Sequence, residues 1–361
     1  MPLFFQACAQ NDQKRMTLRE KIGQMFIVRP EAFDPEIVWI TGEDLVPYAI
    51  RSVNSRMAAT NRKYPVGGIL LYGHNIDTPE QVKEFIGELR RFKGNPLICI
   101  DEEGGRVARI ANNPNFHVPV FQSMAAIGAT GDPQAAYDAA FAIGSYLKEY
   151  GFDVNFAPVA DVNTNPENVI IGARAFSDKP SVAAPMVAQY VKGMQAAGIV
   201  SCLKHFPGHG DTYADTHLGY AVSHKTWEEM LDCEMYTFKA GIAAGVPMIM
   251  SAHISAPKVT GSEIPSTLSP VILQEKLRGE LGFDGVIITD GMEMGAITRQ
   301  FSSEEAAILA IQAGADILLG TRDYPKVFEA VYQAVKDGVI PESRIDESVR
   351  RIQKLRALAG R

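Results

Sequence analysis

Cysteine is scarce in these 361 residues: Cys8, Cys99, Cys202 and Cys233 lie far apart with no CxxC spacing, so neither a zinc ribbon nor a disulfide framework is expected. Cys99 and Cys202 sit inside apolar runs and read as buried small hydrophobes. Positive charge is also in deficit. The formal net charge is -7 and the pI is near 5.6, with lysine and arginine scattered, which argues against a nucleic-acid partner or an anionic membrane surface. The one dense basic stretch, 344–361, carries Ile345, Val349, Ile352, Leu355 and Leu358 at helical spacing and reads as a terminal helix docked on the core. Phosphate-cradling GxxxxGK, dinucleotide GxGxxG and zincin HExxH motifs are all missing, so no cofactor is expected. No internal repeat, low-complexity segment or Pro/Gly-rich linker divides the chain. A single domain is expected over 17–361, behind a tail at 1–16.

That tail, MPLFFQACAQNDQKR and one residue more, is too short for a secretory signal or a transmembrane segment. Its apolar stretch ending at Cys8, followed by a polar spacer, has two readings. It is the tail of a lipoprotein signal, which would put the protein in the periplasm anchored to a membrane, or a frayed apolar terminus of a cytoplasmic protein.

What is present in quantity is apolar residue, 46% of the chain, in short Val/Ile/Leu-rich runs suited to strands buried on both faces. Eight such runs occur, at 25–28, 68–72, 97–100, 154–158, 200–204, 247–251, 286–289 and 317–319. Helical segments separate most of them, among others 79–92, 134–150, 182–197, 226–244, 270–281 and 303–313. Thr17 and Glu20 have capping-box spacing, so a helix should start the domain. Alternating strands and helices predict an α/β fold, a single (β/α)8 TIM-like barrel, with a doubly wound open sheet as the alternative. Polar residues favour the barrel: Asp101, Asp161, His205, His253 and Asp290 each stand at or just past a strand end, on the rim where barrels place their chemistry. The segment 30–63 reads as an elaboration with some helical character.

Three stretches carry candidate chemistry. VSCLKHFPGHGDTYADTH, 200–217, leaves a buried strand and packs three histidines and two aspartates into one connection. Rim-facing polar clusters are costly unless used. Pro207, Gly208 and Gly210 prevent a continuous helix, so His205 and His209 are not an i, i+4 pair. Asp215 and His217 are two apart, and if the loop curls the carboxylate would brace the imidazole and raise its pKa toward that of a useful general acid. GVIITDGMEM, 285–294, ends a strand in Asp290, read as a nucleophile or base, or as the cap of the next helix. In DEEGGRVAR, 101–109, Asp101 ends a strand, and Glu102 and Glu103 compete with it for any role.

Together, DEEGGRVAR at 101–109, KHFPGHGDTYADTH at 204–217 and ITDGMEM at 288–294 resemble glycoside hydrolase family 3, in its β-N-acetylglucosaminidase branch. The resemblance runs from Leu18 onward. The KHFPGHGDT run is what separates this branch from the family's β-glucosidases, which usually add a second domain supplying a glutamate acid/base and for which the chain has no room. The resemblance implies a retaining β-N-acetylhexosaminidase acting on peptidoglycan fragments or chito-oligosaccharides. It implies Asp290 as nucleophile and His217 as acid/base oriented by Asp215. It also implies that Lys204, His205, Asp101, Arg109 and Arg174 hold the sugar in the −1 subsite. Arg174 lies in NVIIGARAFSD, where Ala175 stands in place of a usual serine, and Thr216 replaces a serine between the dyad members. An imidazole acid/base repels anions less than a carboxylate, so phosphate is an expected second acceptor; no GlcNAc 1-phosphate at high phosphate would remove that expectation.

Two rival chemistries are also open. His205, His209, Asp211, Asp215 and His217 include zinc-type ligands, and loss of activity on exhaustive chelation would mark a metal hydrolase. Lys204 ends a strand where a Schiff-base lysine can sit, and borohydride trapping with a carbonyl substrate tests for it.

Overall fold

The computed structural model describes residues 16–34, 49–214 and 221–361. Asp215, Thr216, His217 and Cys8 lie outside these residues, as does 35–48 within the elaboration at 30–63. The helix Leu18–Gln24 opens the domain with the expected capping box: Thr17 and Glu20 exchange side-chain to backbone hydrogen bonds.

Eight parallel strands close into a barrel. They are β1 (Phe26–Val28), β2 (Gly68–Leu71), β3 (Leu97–Ile100), β4 (Val154–Asn155), β5 (Val200–Phe206), β8 (Met248–Ser251), β9 (Val286–Gly291) and β10 (Ile317–Leu319). A small antiparallel hairpin of β6 (Tyr213–Ala214) and β7 (Ala221–Val222) stands apart from it. The barrel order is β1-β10-β9-β8-β5-β4-β3-β2, which closes through β2 on β1 and excludes the open sheet. Strands this short are stable because both faces are buried, one in the barrel interior and one under the helices.

The helical layer packs tightly where small residues permit. Helices Pro133–Tyr150 and Pro180–Ala196 touch at Gly193, where an added Cβ would lie 2.4 Å from the Tyr137 carbonyl oxygen. Any side chain there would force the pair apart.

Several expectations need correcting. The segment 226–244 forms two helices, Trp227–Leu231 and Glu234–Ala243, broken at Asp232 and Cys233, beside buried Glu234, which pairs with Lys225. The segment 270–281 winds as a π-helix over Val271–Glu280, with the Leu281 N–H bonding the Lys276 carbonyl five residues back. In the terminal helix Glu342–Leu358 the first four stripe residues are buried, but Leu358 is exposed at the last turn. The segment 30–63 has the expected helical character in its described residues, a 3-10 turn, Pro30–Phe33, and a helix, Ser55–Lys63. Among the described residues no helix is long and apolar enough to cross a membrane. Strands β5 and β9 run further than expected, so His205 and Asp290 join Lys204 within them, at their C-terminal ends.

Candidate active site

The C-terminal ends of β2, β3, β5, β9 and β10 surround a cavity of about 320 Å³, lined among others by Asp101, Arg109, Arg174, Lys204, His205 and Asp290. That volume is at the small end of ligand sites.

The DEEGGRVAR turn sorts its three acids by direction. Asp101 takes the Lys204 ammonium at 2.7 Å. Glu102 turns back under its own turn, accepts from the backbone N–H groups of Arg109, Ile110 and Ala111 and from the Tyr146 hydroxyl, and is structural. Glu103 reaches across to Arg174, with two bonds of 2.8 Å, and to Lys204 at 2.6 Å. Burial pushes the Glu103 carboxyl up, but the neighbouring Lys204 and Arg174 outweigh it and bring it down to about 2.

Lys204 is buried, and burial alone would favour the neutral amine. Asp101 and Glu103 reverse that and raise it above the ordinary lysine value. An ammonium so held is a poor Schiff-base nucleophile at neutral pH, which counts against the aldolase reading. It has three N–H donors, two of them directed at carboxylates, which leaves one for a ligand in the cavity.

Beyond β5 the chain is pinned by Asp161, which follows β4. Asp161 Oδ2 lies 2.7 Å from His205 Nδ1, and Oδ1 accepts from the His209 backbone N–H at 2.6 Å. Burial raises the Asp161 carboxyl, but the two histidines beside it bring it below the ordinary value. An ionised Asp161 makes Nδ1 of His205 the donor and leaves Nε2, 3.4 Å from an Arg174 nitrogen, facing the cavity. His209 packs edge-on against His205 rather than one helical turn above it. Its Nδ1 meets the Thr212 hydroxyl at 2.7 Å, and burial lowers its pKa. Among the described residues no group of three His, Cys, Asp or Glu side chains is placed to hold a metal ion.

Asp290 is half-buried and does not cap the next helix; its Oδ1 accepts from the adjacent Gly291 N–H at 2.7 Å. Burial pushes its carboxyl up, yet His253, His205, the Gly291 N–H and Lys204 together hold it below the ordinary aspartate value. Burial lowers the His253 imidazole in turn. His253 braces that peptide from behind: its Nε2 donates to the Gly291 carbonyl at 2.9 Å, and Nδ1 meets the Thr267 hydroxyl.

On the other flank Arg109 stands against the Tyr72 ring, its guanidinium carbon 5.8 Å from the centroid, with Arg29 at 5.7 Å. Buried Nε of Arg109 has no hydrogen-bond partner among the described residues.

All six described candidates, Asp101, Arg109, Arg174, Lys204, His205 and Asp290, thus line one cavity, whereas Asp215 and His217 lie outside the described residues, in the connection between β6 and β7. That hairpin is tied to the rim by backbone bonds from Ser255 to Ala221 and from Ser223 to Ser255. Sequence reasoning undervalued Glu103, Asp161 and His253, although the last two were marked by their strand-end positions. Tyr72 ends a strand as well, and Glu293 belongs to the quoted ITDGMEM, but neither carried a chemical signal of its own.

A family model described as the glycosyl hydrolase family 3 N-terminal domain matches residues 17–355. The chain is 34% identical over 323 residues to β-hexosaminidase A of Pseudoalteromonas piscicida, covering 81% of this chain and 54% of that protein. It is 37% identical over 276 residues to the β-hexosaminidase of Stenotrophomonas maltophilia (strain R551-3), covering 75% of this chain and 80% of that one. Among solved structures, a glycoside hydrolase family 3 β-N-acetylglucosaminidase from Paenibacillus sp. str. FPU-7 superposes with a TM-score of 0.82 at 35% identity, over 96% of this chain and 63% of that chain. The chain therefore spans about half the length of the first of these relatives and under two thirds of the last.

Proposed function

This chain belongs to glycoside hydrolase family 3, and from that membership we propose that it is a retaining β-N-acetylhexosaminidase releasing terminal, non-reducing β-linked N-acetylglucosamine. The observation that carries the reading is an ionised Asp290, braced by the Gly291 N–H and set in a cavity facing an array of charged hydrogen-bonding groups. An acyl-transfer site has no need of so many donors and acceptors around one carboxylate. A pyranose, with several hydroxyls and an amide, does.

In this reading Asp290 attacks the anomeric carbon through an oxocarbenium-like transition state and forms a glycosyl-enzyme, while His217 protonates the departing oxygen. Water then enters with His217 as base, and Asp215 orients the imidazole. Lys204 offers its third N–H, and Asp101 an oxygen not engaged by Lys204, so the pair presents a donor and an acceptor to neighbouring hydroxyls. Arg174 is locked by Glu103 and so presents a fixed guanidinium edge to the substrate. Peptidoglycan fragments and chito-oligosaccharides both end in a sugar of this kind.

The test is hydrolysis of 4-nitrophenyl N-acetyl-β-glucosaminide by the wild type, Asp290→Ala and His217→Ala. The expected result is turnover by the wild type, a loss of at least about a thousandfold for Asp290→Ala, and for His217→Ala a loss that grows as the leaving group worsens. A folded Asp290→Ala protein retaining wild-type activity would remove the assignment.

A further inference from the structure

The motif that supplies Asp290 contains a second acid that the mechanism leaves unused. Glu293 lines the same cavity, three residues beyond the nucleophile. The turn that carries it is fixed by two backbone bonds, Met292 N–H to the Leu319 carbonyl at 2.8 Å and Met294 N–H to the Gly291 carbonyl at 3.0 Å. Room for its carboxyl comes from Gly320, at the end of β10 with φ +62°, where a Cβ would stand 2.0 Å from Glu293 Oε2. That oxygen is buried and has no hydrogen-bond partner among the described residues. A buried, unpaired carboxyl oxygen is costly and is retained in a binding cavity where a ligand completes it.

Its position is also informative. In the barrel order β10 stands opposite β4, so Glu293 flanks the cavity on the side away from the Asp101, Glu103, Lys204 and Arg174 array carried by β3, β5 and the β4 connection. We propose that Glu293 is a specificity-determining residue whose Oε2 hydrogen-bonds one hydroxyl of the bound sugar, on the side of the ring turned away from Lys204 and Asp101. The proposal rests on the reading of this cavity as the −1 subsite. Burial pushes the Glu293 carboxyl up to about 7, with Asp290 adding to the rise and Arg29 and Arg322 opposing it. Near neutrality it therefore exists both as donor and as acceptor, and a hydroxyl is the sugar group able to satisfy either form. A role as the proton donor to the leaving group fits the geometry less well, because Glu293 stands on the connection that carries the nucleophile, whereas the donor must approach from the other side of the glycosidic bond.

The test compares kcat/KM for 4-nitrophenyl N-acetyl-β-glucosaminide and its 3-, 4- and 6-deoxy analogues in the wild type, Glu293→Gln and Glu293→Ala. The wild type is expected to lose about ten- to hundredfold on one analogue through loss of the Glu293 bond. Glu293→Ala should lose a similar factor on the parent substrate and show little further loss on that analogue, with Glu293→Gln in between. These are ratios within one preparation, so a partly folded variant still reports. A Glu293→Ala loss that is equal on all four substrates, or that grows with a poorer leaving group, overturns the proposal while leaving the hexosaminidase reading intact. No turnover of the parent by folded wild type overturns both.

Discussion

Lys204 shows how single residues in this site are set by their neighbours. A lysine buried at the end of a strand would ordinarily surrender its proton, and Asp101 at 2.7 Å with Glu103 at 2.6 Å prevents that. The same pair of carboxylates limits how the ammonium can turn. Glu293 is the opposite case, a carboxyl whose burial is opposed only partly by Arg29 and Arg322. It has a consequence for stability whose sign follows from linkage. The folded group titrates at about 7 and the ordinary glutamate at 4.5, so between those values the unfolded chain releases its proton first and ionisation favours unfolding. The penalty is absent below pH 4.5, grows as pH rises to 7 and is constant above. Glu293→Gln is therefore expected to be more stable than wild type at pH 8, by about 1–2 kcal/mol once the shift is discounted for partial exposure, and equal to it near pH 4. Urea midpoints of the two proteins at pH 4 and pH 8 check this; an equal gain at both would mean the carboxyl carries no such strain.

At the level of elements, the eight strands were legible because each is buried on both faces and reads as an unbroken apolar run between turn residues. The helix boundaries at 133, 180 and 303 were marked by proline or serine. What the linear pattern does not contain is direction. Glu102 and Glu103 are chemically identical neighbours, and only the turn formed by Gly104 and Gly105, both at positive φ, sends one beneath the turn and the other to Arg174. The break at Asp232 and Cys233 was hidden as well, and the Lys225–Glu234 pair beside it is a contact made in three dimensions. The β5 connection makes the point testable. Gly210 passes so close to the Val162 carbonyl oxygen that a Cβ would lie 1.9 Å from it. Asn165 and Asn168 tie the same connection down through the Thr212 and His209 carbonyls. Gly210→Ala must move this segment, and with it the His209 N–H that holds Asp161 behind His205. The expected outcome is a fall in kcat/KM of at least about tenfold, since small displacements of positioning groups are amplified in rate, with a loss of stability of about 1–3 kcal/mol. Wild-type kinetics in this variant would show that the segment does not position the site.

Across the whole molecule the two ends of the barrel divide the charged residues between function and cohesion. At the C-terminal rim, buried ions face a cavity and leave hydrogen-bonding capacity open. At the N-terminal end they are closed on themselves. Asp316, immediately before β10, is fully buried; Arg278, Arg344 and Arg351, the Ser348 hydroxyl and the Ile287 N–H all converge on it. Asp153, just before β4, does the same with Arg90, Arg361 and the Ile98 N–H. These carboxylates join a strand to the helices outside it, the terminal helix Glu342–Leu358 in the case of Asp316. Removing one partner of a buried ionic cluster leaves the others desolvated and uncompensated, which costs about 3–5 kcal/mol. Asp316→Ala is thus expected to lower the free energy of unfolding by that amount. Because conserving the rim geometry does not require the far end of β10 to keep its charge, the folded fraction should bind and cleave substrate with unchanged KM. Urea unfolding followed by kinetics normalised to folded protein separates the two effects. A raised KM in fully folded Asp316→Ala would mean that the cluster at the base is coupled through β10 to Gly320 and the Glu293 carboxyl above it, and that the two ends of the barrel are not independent.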